Sequence, residues 1–188
     1  MIFTIIEIFY ILITVLVIGY IFSGYIKLPP KKDDFIPIYN SWFDWKLFKF
    51  SILVAAPAII LHEMGHKFIA ILMGLEAHYE IWGMGLIIGL VLKIFNSGFM
   101  LLAPGYVTFT NATKIQIILT GAAGPFINLI LWIGAFITLK YKKNLTRLSS
   151  LFLVYTSQIN KWLFIFNMLP IPPLDGSKII LPLLGINL

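Results

Sequence analysis

Four long apolar runs, separated by short polar connections, dominate the pattern of hydrophobic and polar positions along the chain. They cover residues 2–22, 47–73, 115–139 and 148–169. Each run is long enough to cross the hydrocarbon core of a bilayer, which takes about 20 helical residues. The first run has no basic residue before it and is too long for the apolar core of a signal peptide. We therefore expect it to be retained as a helix.

The pattern changes between the second and third runs, in residues 74–113. Apolar and polar residues alternate along residues 75–81, which is the two-residue period of a strand. Glycines then recur at close intervals, at Gly83, Gly85, Gly89 and Gly98. This glycine density argues against one straight helix and predicts hairpins or a re-entrant segment. Such backbone is tolerated at membrane depth only where protein or a water-filled cavity covers it.

The composition assigns the chain to a class. Of its 188 residues, 60% are hydrophobic and 12% are charged, whereas soluble domains are about half apolar and roughly a quarter charged. A soluble enzyme is therefore excluded. We predict an α-helical polytopic protein of the cell membrane, with about four transmembrane helices, a membrane-associated re-entrant β-hairpin segment and a short C-terminal helix. It forms one domain, 1–188, made of an N-terminal helix and loop (1–46), a core (47–176) and a tail (177–188).

The formal net charge of +6 does not indicate a nucleic-acid partner. Most basic residues fall between the apolar runs, where they anchor helix ends against lipid headgroups. No basic stripe is interleaved with exposed aromatic residues, so we expect membrane lipid, and not nucleic acid, as a partner. The chain has no cysteine, which excludes disulfides, thiol nucleophiles and iron–sulfur clusters.

The feature that carries chemistry is His62-Glu63-Met64-Gly65-His66, inside the second apolar run. Residues four apart lie on one face of a helix, so both imidazoles can bind one metal ion. Glu63 projects beside them, where it can hold a water molecule. This is the HExxH arrangement of zinc peptidases. The alternative is a polar patch at a helix interface, which explains neither the spacing nor the glutamate.

Two histidines leave the metal site incomplete, since catalytic zinc usually has three protein ligands and one open position. The available third ligands are Glu76, His78, Glu80 and Asp175. Asp175 is the best of them, because it follows a series of helix-stopping prolines and precedes Gly176. An aspartate at the start of a helix is equally expected as an N-cap.

At these residues the chain resembles the site-2 proteases, which are zinc metalloproteases that act inside the membrane. The resemblance rests on the HExxH motif and on Asn167-Met-Leu-Pro170-Ile-Pro172-Pro173-Leu174-Asp175-Gly176. Gly124-Pro125-Phe-Ile-Asn128 and Pro104-Gly105-Tyr106-Val107 are further similarities. No PDZ domain separates the third and fourth runs, in contrast to larger members of the family.

The resemblance implies one Zn²⁺ ion held by His62, His66 and Asp175, with Glu63 as general base. It also implies that Asn167 positions or polarises the scissile carbonyl. The activity implied is hydrolysis of a peptide bond in or near a transmembrane segment of a membrane-protein substrate. From the residues alone, a metal-binding membrane carrier or scaffold without hydrolytic activity remains the alternative, and a membrane zinc protease acting on prenylated tails is a second one.

Other polar and small residues have simpler interpretations. We expect His78 to be solvated or to face lipid headgroups, and Asn128 to pack or to bond backbone. Gly121 and Gly124 should allow close approach of helices. If His66 and Asp175 bind one metal ion, residues 74–113 must enter and leave on the same side of the membrane. The side itself is open, because the positive-inside rule and the family resemblance place the site toward opposite faces.

Overall fold

The fold consists of helices around one small sheet, in a computed structural model that describes residues 2–28, 43–95, 97 and 104–186. In chain order the elements are α1 (Ile5–Phe22), α2 (Trp45–Leu72), β1 (Ala77–Ile81), α3 (Gly83–Ile94), β2 (Gly105–Phe109), α4 (Lys114–Tyr141), α5 (Arg147–Asn167) and α6 (Asp175–Leu183). Most of the predicted N-terminal loop, residues 29–42, and Gly98 lie outside the described residues.

Three of these helices are long and apolar enough to cross a membrane: α1, α2 and α4, with 18, 28 and 28 residues. This agrees with an integral membrane protein. The fourth predicted span corresponds to α5, which is 21 residues long. It does not meet the same measure of apolarity, because Ser157, Gln158, Asn160 and Lys161 interrupt its middle. Four spans are thus not established.

The start of α4 is tied to the end of α2. Thr113 and Gln116 form a capping box at the start of α4, which satisfies backbone N–H groups that have no helical partner. Gln116 Nε2 also donates to the Met73 carbonyl at 3.0 Å. The connection between α2 and α4 therefore begins and ends at neighbouring points. This agrees with the requirement that residues 74–113 enter and leave on the same side of the membrane if His66 and Asp175 share a metal ion.

The predicted strand is confirmed as β1, which pairs with β2 in an antiparallel two-stranded sheet. Ala77 lies opposite Phe109, and Ile81 lies opposite Gly105. Trp82 N–H donates to the Pro104 carbonyl at 3.1 Å, one step beyond the last pair. The backbone groups of successive residues in a strand point to opposite edges. The even-numbered residues of β1 and β2 therefore bond to each other through their backbone groups, and the odd-numbered residues point theirs away from the partner strand.

The prediction that the glycines break helical structure is wrong over Gly83–Ile94, which form α3. A glycine in a helix costs about 1 kcal/mol relative to alanine, yet α3 forms with three of them. Gly85 and Gly89 lie four residues apart on one face, and both are buried. Small residues at this spacing allow close approach to a neighbouring helix in a membrane. A re-entrant hairpin is thus not established; the strands are separated by a helix.

A buried ion pair connects α1, α2 and β1. Lys67, directly after the HExxH motif, donates to Glu7 Oε1, and both side chains are almost completely buried. The same carboxylate oxygen accepts the Tyr79 N–H of β1 at 2.7 Å. Thr14 and Tyr79 share a further buried hydrogen bond of 2.9 Å between their hydroxyl groups. This cluster fixes α1 and β1 against the helix that carries the histidines.

Replacing one partner of this ion pair should destabilise the protein more than replacing both. Lys67→Met leaves the Glu7 carboxylate buried without its ammonium group, at a cost of about 3–5 kcal/mol. The double variant Glu7→Gln/Lys67→Met leaves no buried charge and should recover most of that loss. Unfolding in detergent, followed by circular dichroism, measures both. Lys49→Met, an exposed lysine on the same helix, is the control. Equal stability of the single and double variants would contradict this account.

Candidate metal centre

Three side chains converge on one point inside the helical bundle: His62 and His66 from α2 and Asp175 from the start of α6. The His62 Nε2 and His66 Nε2 atoms lie 3.1 Å apart. Asp175 Oδ2 is 3.0 Å from His62 Nε2 and 3.1 Å from His66 Nε2. All three residues are buried. The helical spacing of the histidines and the distant aspartate thus meet as one group of possible ligands.

The donor set and its spacing fit a zinc ion. Tetrahedral ligands at about 2.0–2.1 Å from zinc lie about 3.3 Å from one another, close to the sides of this triangle. Two imidazole nitrogens and one carboxylate oxygen are a set that catalytic zinc sites use. Zinc is thus a cation that these three residues are able to hold.

Hydrogen bonds from the rings' other nitrogens orient both imidazoles. His66 Nδ1 lies 2.7 Å from the Thr120 carbonyl, which can only accept, so Nδ1 carries the hydrogen. His62 Nδ1 lies 2.6 Å from Asn128 Oδ1. Both Nε2 atoms then present lone pairs to each other and to the carboxylate, an arrangement that a cation between them would stabilise. Such partners of the remote nitrogen are the usual support of histidine ligands.

Glycines allow α4 to lie directly against the two imidazoles. A Cβ atom on Gly124 would overlap the His66 ring and approach His62 Cε1 at 2.8 Å. A Cβ on Gly65 would lie 2.7 Å from Ile127 Cδ1 and 3.0 Å from the Ala123 carbonyl oxygen. The expected close approach at Gly124 is confirmed, and the partner is the histidine pair itself.

Asp175 does not act as an N-cap. It is the first residue of α6, whose N-cap is Leu174, without a side-chain capping bond. The second carboxylate oxygen of Asp175, Oδ1, accepts from Lys178 Nζ at 3.1 Å. Asp175 therefore directs one carboxylate oxygen at the two histidines and the other at the Lys178 ammonium group.

The other considered ligands lie elsewhere. Glu76 and His78 are exposed, which agrees with the solvated position expected for His78. Glu80 accepts hydrogen bonds from Tyr106 and Thr108 of β2, each at 3.1 Å. These three side chains belong to the sheet and do not belong to the group of possible metal ligands.

Glu63 is buried on α2 between the two histidines, with 8% of its surface exposed. Among the described residues, its carboxylate has no hydrogen-bond partner, whereas the other buried carboxylates, Glu7 and Asp175, are both paired. Buried polar groups are usually hydrogen-bonded, so a carboxylate left free beside a group of possible metal ligands is available to a reacting molecule.

Asn167 is the last residue of α5 and is half-buried. The chain that follows it packs tightly on α6, since a Cβ on Gly176 would overlap the carbonyl groups of Met168 and Leu169. This contact brings the end of α5 beside Asp175. Within the described part of the chain, the Asn167 amide has no hydrogen-bond partner.

Two asparagines contribute more than the sequence indicated. Asn128 bonds backbone as expected, donating to the Ala58 carbonyl at 2.9 Å, but its oxygen also lies on His62. Asn160 of α5, which sequence reasoning did not identify, accepts from Asn128 Nδ2 at 2.8 Å. The available signal was an amide within a long, mostly apolar run, which by itself does not separate helix packing from support of a ligand.

Comparison with known proteins gives two relatives. Over 146 residues, the chain is 33% identical to a protein of Methanocaldococcus jannaschii named "Putative zinc metalloprotease MJ0611", covering 73% of this chain and 72% of the relative. Over 161 residues, it is 27% identical to "Putative zinc metalloprotease YwhC" of Bacillus subtilis, covering 74% and 71%. No family model and no solved structure matches the chain.

The names of both relatives agree with the resemblance drawn from the motifs and with the donor set assembled in the fold. An identity of 33% over nearly three-quarters of both chains shows common membership. The protein belongs to the family of zinc metalloproteases that these two relatives represent.

Proposed function

We propose that this protein is an intramembrane zinc metalloprotease in which His62, His66 and Asp175 hold the metal ion and Glu63 is the general base. The observation that carries the proposal is the buried triangle of donor atoms, 3.0–3.1 Å on each side, with an unpaired carboxylate beside it. A structural polar patch would need no such convergence of lone pairs.

The depth of the site supports cleavage within the membrane. His62 lies ten residues before the end of α2, which is about 15 Å along the helix axis. Both α2, which carries the histidines, and α4, which lies against them at Gly124, are candidate spans. The substrate that fits this depth is a transmembrane segment of another protein, locally unwound so that a peptide carbonyl is exposed.

Zinc, when bound, supplies a Lewis acid that polarises a peptide carbonyl and makes water acidic enough to ionise near neutral pH. Glu63 then takes a proton from the attacking water as its oxygen bonds to the carbonyl carbon. Glu63 passes that proton to the leaving amide nitrogen as the C–N bond breaks, which leaves a carboxylate and an amine. The Asn167 side chain, at the end of α5, donates an N–H to the carbonyl oxygen.

The sheet provides a place to hold an unwound substrate by strand addition. The edge of β1 is already partly occupied, because Glu7 accepts its Tyr79 N–H. The outward groups of β2, at Gly105, Val107 and Phe109, have no hydrogen-bond partner among the described residues. We therefore assign substrate addition to β2.

The metal content of the protein tests the three proposed ligands. The purified protein in detergent should hold about one zinc per chain, and Asp175→Ala should bind it at least about 10-fold more weakly, since even partners of ligands contribute 10–100-fold. Elemental analysis with chelator competition measures both. Asp44→Ala, which removes a carboxylate that caps α2, controls for loss of an acidic residue and should keep its zinc. Equal affinity in Asp175→Ala and the wild type would exclude Asp175 as a ligand.

A substitution of Glu63 separates a protease from a carrier or scaffold. Glu63→Gln should retain zinc but lose cleavage of single-span reporter proteins with helix-breaking residues in the span, because glutamine cannot accept the water proton. The exposed Glu76→Gln is the matched control and should cleave normally. Reporter fragments on gels, with zinc measured on the same samples, give the result. Full cleavage by Glu63→Gln would refute the assignment of the base.

A further inference from the structure

Asn160 is a fully buried amide on α5 that does not contact the possible metal ligands directly. Its Nδ2 donates to the Thr156 carbonyl at 2.8 Å, one turn back on the same helix. Its Oδ1 accepts from Asn128 Nδ2 at 2.8 Å. Both asparagines have 0% of their surface exposed, so no solvent replaces these bonds. Asn160 thus connects α5 to the part of α4 that supports His62.

Only one orientation of the two amides satisfies every bond. The Thr156 carbonyl can only accept, so Asn160 directs its amino group there and its oxygen toward Asn128. Asn128 then faces two acceptors, Asn160 Oδ1 and the Ala58 carbonyl at 2.9 Å, and directs both N–H groups at them. Its own oxygen is left facing His62 Nδ1 at 2.6 Å.

A reversed Asn128 amide would change the hydrogen position on His62. The Asn128 oxygen would then face two other oxygens, the Ala58 carbonyl and Asn160 Oδ1. Both hydrogen bonds would be lost and replaced by repulsive contacts in a buried place. The Asn128 amino group would donate to His62 Nδ1, and the ring hydrogen would move to Nε2, which then has no lone pair for a metal. Asn160 supplies one of the two acceptors that exclude this state.

We propose that Asn160 is a positioning residue for the metal centre: acting through Asn128, it holds His62 in the form with hydrogen on Nδ1 and a lone pair on Nε2. The inference rests on the proposed function, because it gives His62 the role of a zinc ligand. His66 is oriented separately, by the Thr120 carbonyl at 2.7 Å, and does not depend on Asn160. This difference between the two histidines is the basis of the test.

The test uses the full chain, loaded with zinc in detergent and labelled with ¹⁵N-histidine. With three histidines in the sequence, each ring gives an assignable signal, and His78→Gln identifies the exposed one. In Asn160→Leu, the Nδ1–H signal of His62 should shift and exchange faster, and that of His66 should not change. Zinc affinity should fall about 10-fold, as for other partners of ligands. Gln158→Leu, an exposed amide on the same helix, should match the wild type in both measurements.

A second variant keeps the test decisive if Asn160→Leu does not fold. The hydroxyl of Asn160→Ser is too short to reach Asn128, so the same change confined to His62 is expected. Unchanged His62 and zinc affinity would overturn the inference and leave Asn160 as a packing residue. Equal disturbance of His62 and His66 would also overturn it, since general loosening would be the cause. Wild-type protein without zinc would refute the proposed metal centre itself.

Discussion

The contact between α2 and α4 at the imidazoles is the constraint on which the rest of the structure depends. Because Gly124 has no side chain, the His66 ring lies directly against α4. The same stretch of α4 then supplies the Thr120 carbonyl and the Asn128 amide that bond the two Nδ1 atoms. One helix therefore orients both rings, and their Nε2 atoms meet on the side from which α6 presents Asp175.

The low dielectric surroundings explain why the polar groups of this chain are linked. A buried amide or charge without a partner costs several kcal/mol, and a bilayer offers no water to replace one. Asn128 and Asn160 share a bond, and Glu7 and Lys67 form a pair that also takes a strand N–H. Glu63 is the buried carboxylate that the described residues leave unpaired. Four buried hydroxyl groups of the described residues also have no partner, so what distinguishes Glu63 is its position beside the convergent donors.

The sequence predicts the site better than it predicts its support. His62 and His66 share a helix face by spacing alone, whereas Asp175 entered through a motif, because 109 residues separate it from His66 and no local pattern connects them. The sequence shows Asn128 and Asn160 as amides within apolar runs but does not reveal their roles, because those roles come from packing α4 and α5 together. The strand β1 was predicted correctly because its two-residue alternation of apolar and polar residues is a local pattern. The prediction from the glycines of α3 was wrong because closely spaced glycines usually indicate turns, whereas Gly85 and Gly89 are buried on one face of a helix.

The division of labour among the helices follows from where the polar contacts lie. The possible metal ligands come from α2 and α6, and α4 and α5 orient them. The polar side chains of α1, Glu7 and Thr14, instead contact Lys67 and Tyr79. By occupying the Tyr79 N–H, α1 closes one edge of the sheet and leaves the β2 edge available. Under the proposed function, an extended substrate would therefore add to the β2 edge, because Glu7 of α1 already takes a backbone N–H of the β1 edge.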